Sequence, residues 1–161
     1  MIEREKRYKL KGEIPIENIK DKFTISQVYA NFNNPDVRIR KITRQNQDEF
    51  SHCVKYQLQN NEREEVEQKI SKERHNRIFD VINKKPVVKE RTVVDIGNGL
   101  FAEIDEFEDT KDVLVEVEFP KASDMDSFEK PSWFGDEIKN NKSFSYVIFT
   151  KINNTSISIW D

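Results

Sequence analysis

Carboxylates and basic side chains recur at every second position in several segments of this sequence. The first such segment, residues 2–10, holds Glu3, Glu5 and Arg7 at alternate positions. Because successive side chains of an extended strand point to opposite faces, these three share one face. Paired carboxylates can ligate a hard divalent cation, and a guanidinium group binds phosphate bidentately. The spacing fits either a solvated sheet face or a polar interior that holds metal and phosphate.

Six further segments repeat this alternation, and their opposite faces are mostly apolar. The charged alternates comprise eight carboxylates (Glu3, Glu5, Glu65, Glu67, Glu103, Asp105, Glu116 and Glu118) and seven bases (Arg7, Arg38, Arg40, Lys55, Arg63, Lys89 and Arg91). A sandwich would bury the apolar alternates between two sheets. A sheet closed around the charged alternates would gather them in one cavity, where water and a bound ligand lower the cost of burying ions.

Such a cavity would suit a triphosphate, which carries several negative charges along a short rod. Arginine and lysine side chains neutralise these charges, and arginine does so bidentately. Carboxylates supply the oxygen ligands that a hard divalent cation requires. Basic and acidic groups in one cavity therefore predict a metal that lies between carboxylates and phosphate oxygens. The sequence shows no evident pocket for a base or a thiazole ring.

The composition limits the class of protein. The 161 residues are predicted to form one domain, 1–161, although only 35% of them are apolar. The 11 Phe, 4 Tyr and 2 Trp argue against disorder. A net charge of −3 gives no general attraction to nucleic acid or to anionic membranes, and neither is expected as a partner. With Cys53 as the only cysteine, no membrane-spanning run and no signal peptide evident, the cytoplasm is the expected location.

Propensity and turn signals indicate the elements that position the charged residues. Strands are predicted at 2–10, 24–29, 37–42, 51–59, 87–96, 100–107 and 113–119. Residues 63–67 fit a strand or a helix, since Glu favours helices. Helical turns are predicted at 16–23, a helix after Ser71, a short helix at 121–128 and a compact loop at 130–138. Gly97-Asn98-Gly99 predicts a hairpin turn.

The order of these motifs resembles that of a known superfamily. Glu3-x-Glu5-x-Arg7 resembles the ExExK signature, and Gln27 to Tyr29 followed by Pro35 to Arg40 resembles a QxYL…P..VRIR stretch. The later motifs follow in the same order: Val54-Lys55, Arg63-x-Glu65-x-Glu67, Lys89-x-Arg91, residues 103–107, residues 115–120 and residues 128–137. Over residues 2–138 the sequence is similar to the CYTH superfamily, the triphosphate tunnel metalloenzymes. Residues 139–161 match least and are predicted to cap the tunnel or to cover its outside.

The resemblance implies an α+β fold: an eight-stranded antiparallel β-barrel with a charged tunnel inside and helices packed outside. It implies Mg²⁺ or Mn²⁺ as the cofactor, with Glu3, Glu5, Asp105, Glu116 and Glu118 on the metal side and Glu65, Glu67 and Glu103 as further candidates. Arg38, Arg40, Lys55, Arg63, Lys89 and Arg91 would bind phosphate, and Glu5, Arg7 and Glu116 would serve catalysis. In the hydrolases of this superfamily, metal-polarised water attacks the terminal phosphorus in line.

Two positions depart from the superfamily pattern. Arg7 stands where the signature has lysine, and arginine cannot act as a base. Cys53 stands where threonine is usual, and it is interpreted as a small strand residue because no partner base is evident. Trp133 and Phe134 are interpreted as structural anchors rather than base-stacking groups. The two histidines, at positions 52 and 75, are expected at the surface.

Three functions agree with these residues. The first is a metal-dependent triphosphatase that hydrolyses inorganic triphosphate or another small triphosphate, such as a nucleoside triphosphate or thiamine triphosphate. The second is a module that binds triphosphate, nucleotide or polyphosphate without turnover, which Arg7 favours. The third is a class IV-type adenylyl cyclase. A monomer or a homodimer is expected.

Overall fold

The computed structural model describes residues 1–31, 35–59, 61–139 and 143–153. The strands are β1 (Ile2–Leu10), β2 (Ile19–Asn31), β3 (Asp36–Arg44), β4 (Gln47–Gln59), β5 (Glu62–Lys69), β6 (Val87–Gly97), β7 (Leu100–Phe107), β8 (Val113–Glu118) and β9 (Phe134–Glu137). The helices are α1 (Lys72–Ile82), α2 (Ala122–Asp126) and α3 (Phe144–Ile152), and Ile16–Asn18 forms a single 3₁₀ turn.

Eight strands form a closed antiparallel barrel in the order β5-β4-β3-β2-β6-β7-β8-β1, and β1 returns to pair with β5. β1 is thus the closing strand: Glu3 lies opposite Arg63 of β5, and Glu5 lies opposite Glu118 of β8. The short strand β9 pairs with the far end of β1, where Tyr8 lies opposite Glu137. The barrel and its outer helices confirm the predicted fold.

The hairpin between β6 and β7 turns where the sequence predicts it. Gly97, Asn98 and Gly99 have φ angles of 86°, 57° and 73°. Glycine and asparagine tolerate this left-handed region at little cost, so the turn follows directly from these residue types. The hairpin sets the register that places Val93 opposite Glu103.

Apolar side chains cover the outside of the barrel. One buried cluster joins the outer faces of β7 and β8 to α2 through Ile104, Val117 and Met125. A second cluster joins Val28 and Ile39 to helix α1, which Ser71 caps by accepting a hydrogen bond from the Arg74 backbone N–H at 3.1 Å. Much of the hydrophobic core therefore lies outside the barrel, and the second cluster also includes inward-facing residues at one end, Tyr29 and Phe107.

Helix α3 closes one end of the barrel. Its rings pack on inward-facing aromatic residues at that end: Phe149 lies 5.3 Å from Tyr29, and Phe144 lies 5.4 Å from Phe107. Ser143 caps the helix by accepting a hydrogen bond from the Tyr146 backbone N–H at 3.4 Å. Residues 139–161 were predicted either to cap the tunnel or to cover its outside, and these contacts place α3 over one end of the tunnel. Residues 154–161 lie outside the described ranges.

Three local predictions were wrong. The segment 16–23 is helical only at Ile16–Asn18, because β2 begins at Ile19 and pairs there with β6. The segment 130–138 contains β9. His75 is 7% exposed rather than at the surface, since its ring packs between Phe50 at 4.8 Å and Phe79 at 6.1 Å. The ambiguous segment 63–67 is a strand, because β5 pairs with both β4 and β1.

Candidate active site

The barrel encloses a polar cavity of about 220 Å³, hereafter the tunnel. Fourteen of the fifteen predicted charged alternates line it: Glu3, Glu5, Arg7, Arg38, Arg40, Lys55, Arg63, Glu65, Glu67, Lys89, Arg91, Glu103, Glu116 and Glu118. Alternation therefore identified the inner face of every strand that contributes charge. Asp105 is the exception: it lies on the same face of β7 as Glu103 but is completely buried.

Carboxylates from β1 and β8 form a cluster on one side of the tunnel. Each of Glu3, Glu5 and Glu118 offers an oxygen, and these oxygens lie within 4.8 Å of one another. Burial, together with Glu5 and Asp105, raises the pKa of Glu116 to about 7. The Glu118 side chain reaches solvent, yet desolvation by the surrounding wall, with Glu103 and Glu3, raises its pKa to about 8. Such mutual repulsion is relieved when a cation binds.

Basic side chains from β3, β4 and β5 form the facing wall. Arg38 is 5% exposed, and its Nε has no hydrogen-bond partner among the described residues. Arg40 Nε donates to Gln27 Oε1 at 3.1 Å. Burial, with the neighbouring charges of Arg38 and Arg91, lowers the pKa of Arg40 to about 10. A cation whose pKa is lowered by burial and by neighbouring cations favours an anion beside it.

Asp105 holds two cations of the tunnel in place. Its Oδ1 accepts from Arg91 Nε at 2.7 Å, and its Oδ2 accepts from Arg91 Nη2 at 2.8 Å and lies 2.9 Å from Lys89 Nζ. Burial alone would raise the pKa of Asp105, but Lys89 and Arg91 outweigh it and lower that pKa. Because both Asp105 oxygens contact Lys89 or Arg91, Asp105 fixes the orientation of these two basic side chains in the tunnel.

Two of the ion pairs inside the tunnel involve carboxylates of β1. Lys55 Nζ donates to Glu3 Oε1 at 2.9 Å and to Oε2 at 3.1 Å. Arg7 Nε lies 3.9 Å from Glu5 Oε1. Each of these four side chains is buried. These contacts neutralise part of the charge inside the tunnel, and a bound ligand would replace them.

The closed end of the tunnel adds two polar lining residues that sequence reasoning missed, Ser143 and Ser145. Ser145 Oγ accepts a hydrogen bond from Lys89 Nζ at 3.0 Å, and Ser143 Oγ lies 3.2 Å from the Tyr29 hydroxyl. The one available signal was Ser143 before the apolar run 146–149, which fits a helix N-cap. Nothing in that run shows that the helix enters the barrel.

Cys53 lies on the inner face, with its Sγ 3.4 Å from Glu65 Oε1. Burial and the Glu65 carboxylate raise the pKa of the thiol to about 11 even though Arg38 opposes this. A thiol in that state is a poor nucleophile. Phe134 is buried against Tyr8 at 5.0 Å, away from the tunnel lining, so it anchors the fold.

Comparison with solved structures finds 14 matching chains. The inorganic triphosphatase NE1496 is 22% identical, with 96% of this chain and 95% of that chain covered and a TM-score of 0.60. Protein PH1819 from Pyrococcus horikoshii is 18% identical over 77% of this chain and 82% of that chain, with a TM-score of 0.58. Hippeastrum HpAC1, described as an adenylyl cyclase with a dominant triphosphatase activity, is 15% identical over 93% and 95%, with a TM-score of 0.60.

The chain has the triphosphate tunnel fold. The matches cover most of both chains at identities below 25%, so they show the architecture, and they confirm the predicted CYTH-type resemblance at that level. No family profile and no curated protein matches the sequence. The tunnel fold thus rests on the strand order and on these structural likenesses together. None of the helices in the described ranges is both long and apolar enough to cross a membrane.

Proposed function

We propose that the protein is a divalent-metal-dependent hydrolase of inorganic triphosphate or another small triphosphate. The observation that carries the proposal is that one enclosed cavity holds both a carboxylate cluster on β1 and β8 and a set of basic side chains on β3 to β6. A neutral or singly charged ligand could not engage both sets at once. A chain of phosphates with its metal satisfies both sets.

The residues present fit a divalent cation. Glu3, Glu5 and Glu118 would hold it, since their oxygens already converge, and Glu116 stands beside Glu5. All are hard oxygen donors, which suit Mg²⁺ or Mn²⁺. When bound, such a cation neutralises phosphate charge and lowers the pKa of a coordinated water. We do not extend the metal role to Asp105, whose oxygens are engaged by Arg91 and Lys89.

The bases would bind the phosphate oxygens. Arg38 and Arg40 project from β3 and Arg63 from β5, and Arg38 Nε awaits an acceptor among the described residues. Lys55 would leave Glu3 for phosphate once the metal occupies Glu3. Lys89 and Arg91, oriented by Asp105, would bind the phosphate that lies deepest.

In the proposed reaction, water forms a bond to the terminal phosphorus as the bond to the bridging oxygen breaks. The bridging oxygen leaves with its electron pair, and inorganic triphosphate yields diphosphate and orthophosphate. The guanidinium and ammonium groups stabilise the charge that moves to the leaving oxygen. Arg7 would contribute as a cation that donates hydrogen bonds, since arginine cannot accept a proton from water.

Arg7 is the observation that favours the second candidate, a module that binds triphosphate without turnover. A cyclase is the third candidate and would release cyclic AMP and diphosphate from ATP. Three measurements on tripolyphosphate, ATP and thiamine triphosphate, each with Mg²⁺ and with Mn²⁺, separate the candidates: phosphate release, cyclic AMP formation from ATP, and binding calorimetry. Phosphate release supports the hydrolase, cyclic AMP identifies the cyclase, and tight calorimetric binding without turnover identifies the module.

An Arg7→Lys variant sharpens that test. A hydrolase that already works with arginine should change in kcat by less than about tenfold, whereas a large gain of activity would mean that Arg7 had silenced the tunnel. The single domain 1–161, the cytoplasmic location and the monomeric or homodimeric state stay predictions.

A further inference from the structure

The inward-facing rows of three neighbouring strands become apolar just beyond the charged positions. On β6 Val93 follows Arg91, on β7 Phe101 precedes Glu103, and Pro120 lies two residues after Glu118 of β8. These three residues, Val93, Phe101 and Pro120, are named the mouth collar. They line a second cavity, which has a volume of about 470 Å³.

The mouth collar is continuous with the tunnel. Glu3, Glu65, Glu103 and Glu118 line both cavities, so the collar lies directly outside the carboxylate cluster. Helix α3 closes the other end of the tunnel, where Ser143 and Ser145 line it. A triphosphate that enters from the mouth therefore places its terminal phosphate toward α3, and any group esterified to it lies at the collar.

Phe101 is the aromatic residue of the mouth collar, and its ring is exposed enough to contact a ligand. Its side chain is 44% exposed on a strand whose other inward residues, Glu103 and Asp105, serve the tunnel. An aromatic ring left in solvent adds little to stability, but it offers a face on which a second ring can stack. The 470 Å³ beside it is ample for one heterocycle.

Charge at the mouth restricts what that ring can be. Carboxylates of Glu3, Glu65, Glu103 and Glu118 line this cavity and outnumber its one guanidinium, that of Arg4. An anionic ring would be repelled. A neutral or cationic heterocycle is accepted, and a cation is further attracted to the face of Phe101.

We propose that the mouth collar binds the flat heteroaromatic ring of an organic triphosphate, stacked on Phe101. This inference rests on the proposed function, because it takes the tunnel to hold the triphosphate. It also corrects the expectation that no pocket for a base or a thiazole ring exists. The substrate class then becomes triphosphate esters that carry a neutral or cationic ring, in preference to inorganic triphosphate.

The test compares three probes that share a triphosphate: tripolyphosphate with no ring, ATP with a neutral ring and thiamine triphosphate with a cationic ring. For each protein variant, kcat/KM for a ring-bearing probe is divided by kcat/KM for tripolyphosphate. Phe101→Ala should lower this ratio about tenfold for at least one ring-bearing probe, the usual size of one lost base–aromatic stack. Phe101→Tyr, which keeps the ring, should restore it.

Val81→Ala is the matched control, since Val81 is 85% exposed on α1 and lines neither cavity. Its ratio should equal that of the wild type. An unchanged ratio in Phe101→Ala overturns the collar while the hydrolase stands. If no probe is hydrolysed, the proposed function fails, and calorimetry still decides the collar: weaker binding of both ring-bearing probes, relative to tripolyphosphate, in Phe101→Ala supports it, and equal binding overturns it.

Discussion

Lys55 and Glu3 are bonded to each other inside the tunnel, with Lys55 Nζ 2.9 Å and 3.1 Å from the two oxygens of Glu3. One of these residues is proposed to bind phosphate and the other to bind metal. In the structure, Lys55 Nζ engages the two oxygens of Glu3 that would bind metal, and Glu3 engages the ammonium group that would bind phosphate. A ligand that draws one away leaves the other without its partner, which is costly in a buried place.

Metal and triphosphate should therefore bind with positive coupling. Saturating tripolyphosphate is expected to tighten Mn²⁺ binding by about fivefold or more, within the usual range of coupling between two sites. Lys55→Gln should tighten Mn²⁺ binding without triphosphate, because Glu3 is freed, and should reduce the coupling. Titration calorimetry in both orders of addition measures this. Equal Mn²⁺ affinity in the presence and absence of tripolyphosphate would contradict the exchange of partners.

Glu116→Gln should abolish metal-dependent turnover while the fold stays intact. The substitution keeps the shape of the side chain but removes a charge beside Glu5, so kcat should fall at least about a hundredfold. Phosphate release with Mg²⁺ and with Mn²⁺ gives the rate, and circular dichroism checks the fold. Glu106→Gln, an exposed and outward-facing position on β7, is the control. Wild-type turnover in Glu116→Gln would remove Glu116 from the mechanism.

Arg38→Ala should mainly weaken substrate binding. Loss of a buried charged donor usually costs about 1.5–3 kcal/mol, which is roughly a tenfold to hundredfold rise in KM. Because Arg38 also contacts the Tyr29 hydroxyl, the melting temperature must be measured alongside the kinetics. The exposed Arg77→Ala on α1 serves for comparison. An unchanged KM would show that substrate does not reach Arg38.

The carboxylate cluster should make the metal-free protein less stable as the pH rises. Glu116 and Glu118 have pKa values near 7 and 8 in the folded state, against an ordinary value of 4.5. Between pH 5 and 8 the folded protein therefore holds protons that the unfolded chain has released, so the free energy of unfolding falls with rising pH.

Thermal melts in chelator at pH 5, 6.5 and 8 measure this trend. Glu118→Gln should raise the melting temperature at pH 8 and flatten the dependence, and Mg²⁺ should do the same for the wild type. The exposed Glu108→Gln should leave the trend unchanged. A melting temperature that rises from pH 5 to pH 8, or that falls in Glu118→Gln, would mean that the carboxylates stabilise the empty tunnel through ion pairs.

The inner face of the barrel was predictable because alternation has a fixed period of two. Alternation predicts the face of the strand on which a side chain lies but not how deeply it is buried. Asp105 and Glu103 are therefore equivalent by alternation alone. In the structure, Asp105 is completely buried, while Glu103 lines the tunnel. Depth depends on strand tilt and on the packing behind the wall, which no local pattern records.

The closed end was less predictable. The run Tyr146 to Phe149 is aromatic and β-branched, so its propensity gives no clear signal for a helix. The segment forms helix α3 because Tyr146 and Phe149 pack against Tyr29, and Phe144 packs against Phe107, at the end of the barrel. These contacts depend on tertiary structure. Ser145 acquires its link to Lys89 only through that placement.

The position of β1 ties catalysis to the completion of folding. This strand is the first in the chain, yet it pairs with β5 through Glu3 and Arg63 and with β8 through Glu5 and Glu118. In the emerging chain, Glu5 has no partner on the β8 side until residues 113–118 have been synthesised. A fragment that stops before β8 would keep the basic residues of the tunnel but lack Glu116 and Glu118, so premature termination should yield a chain without a complete carboxylate cluster rather than a weak enzyme.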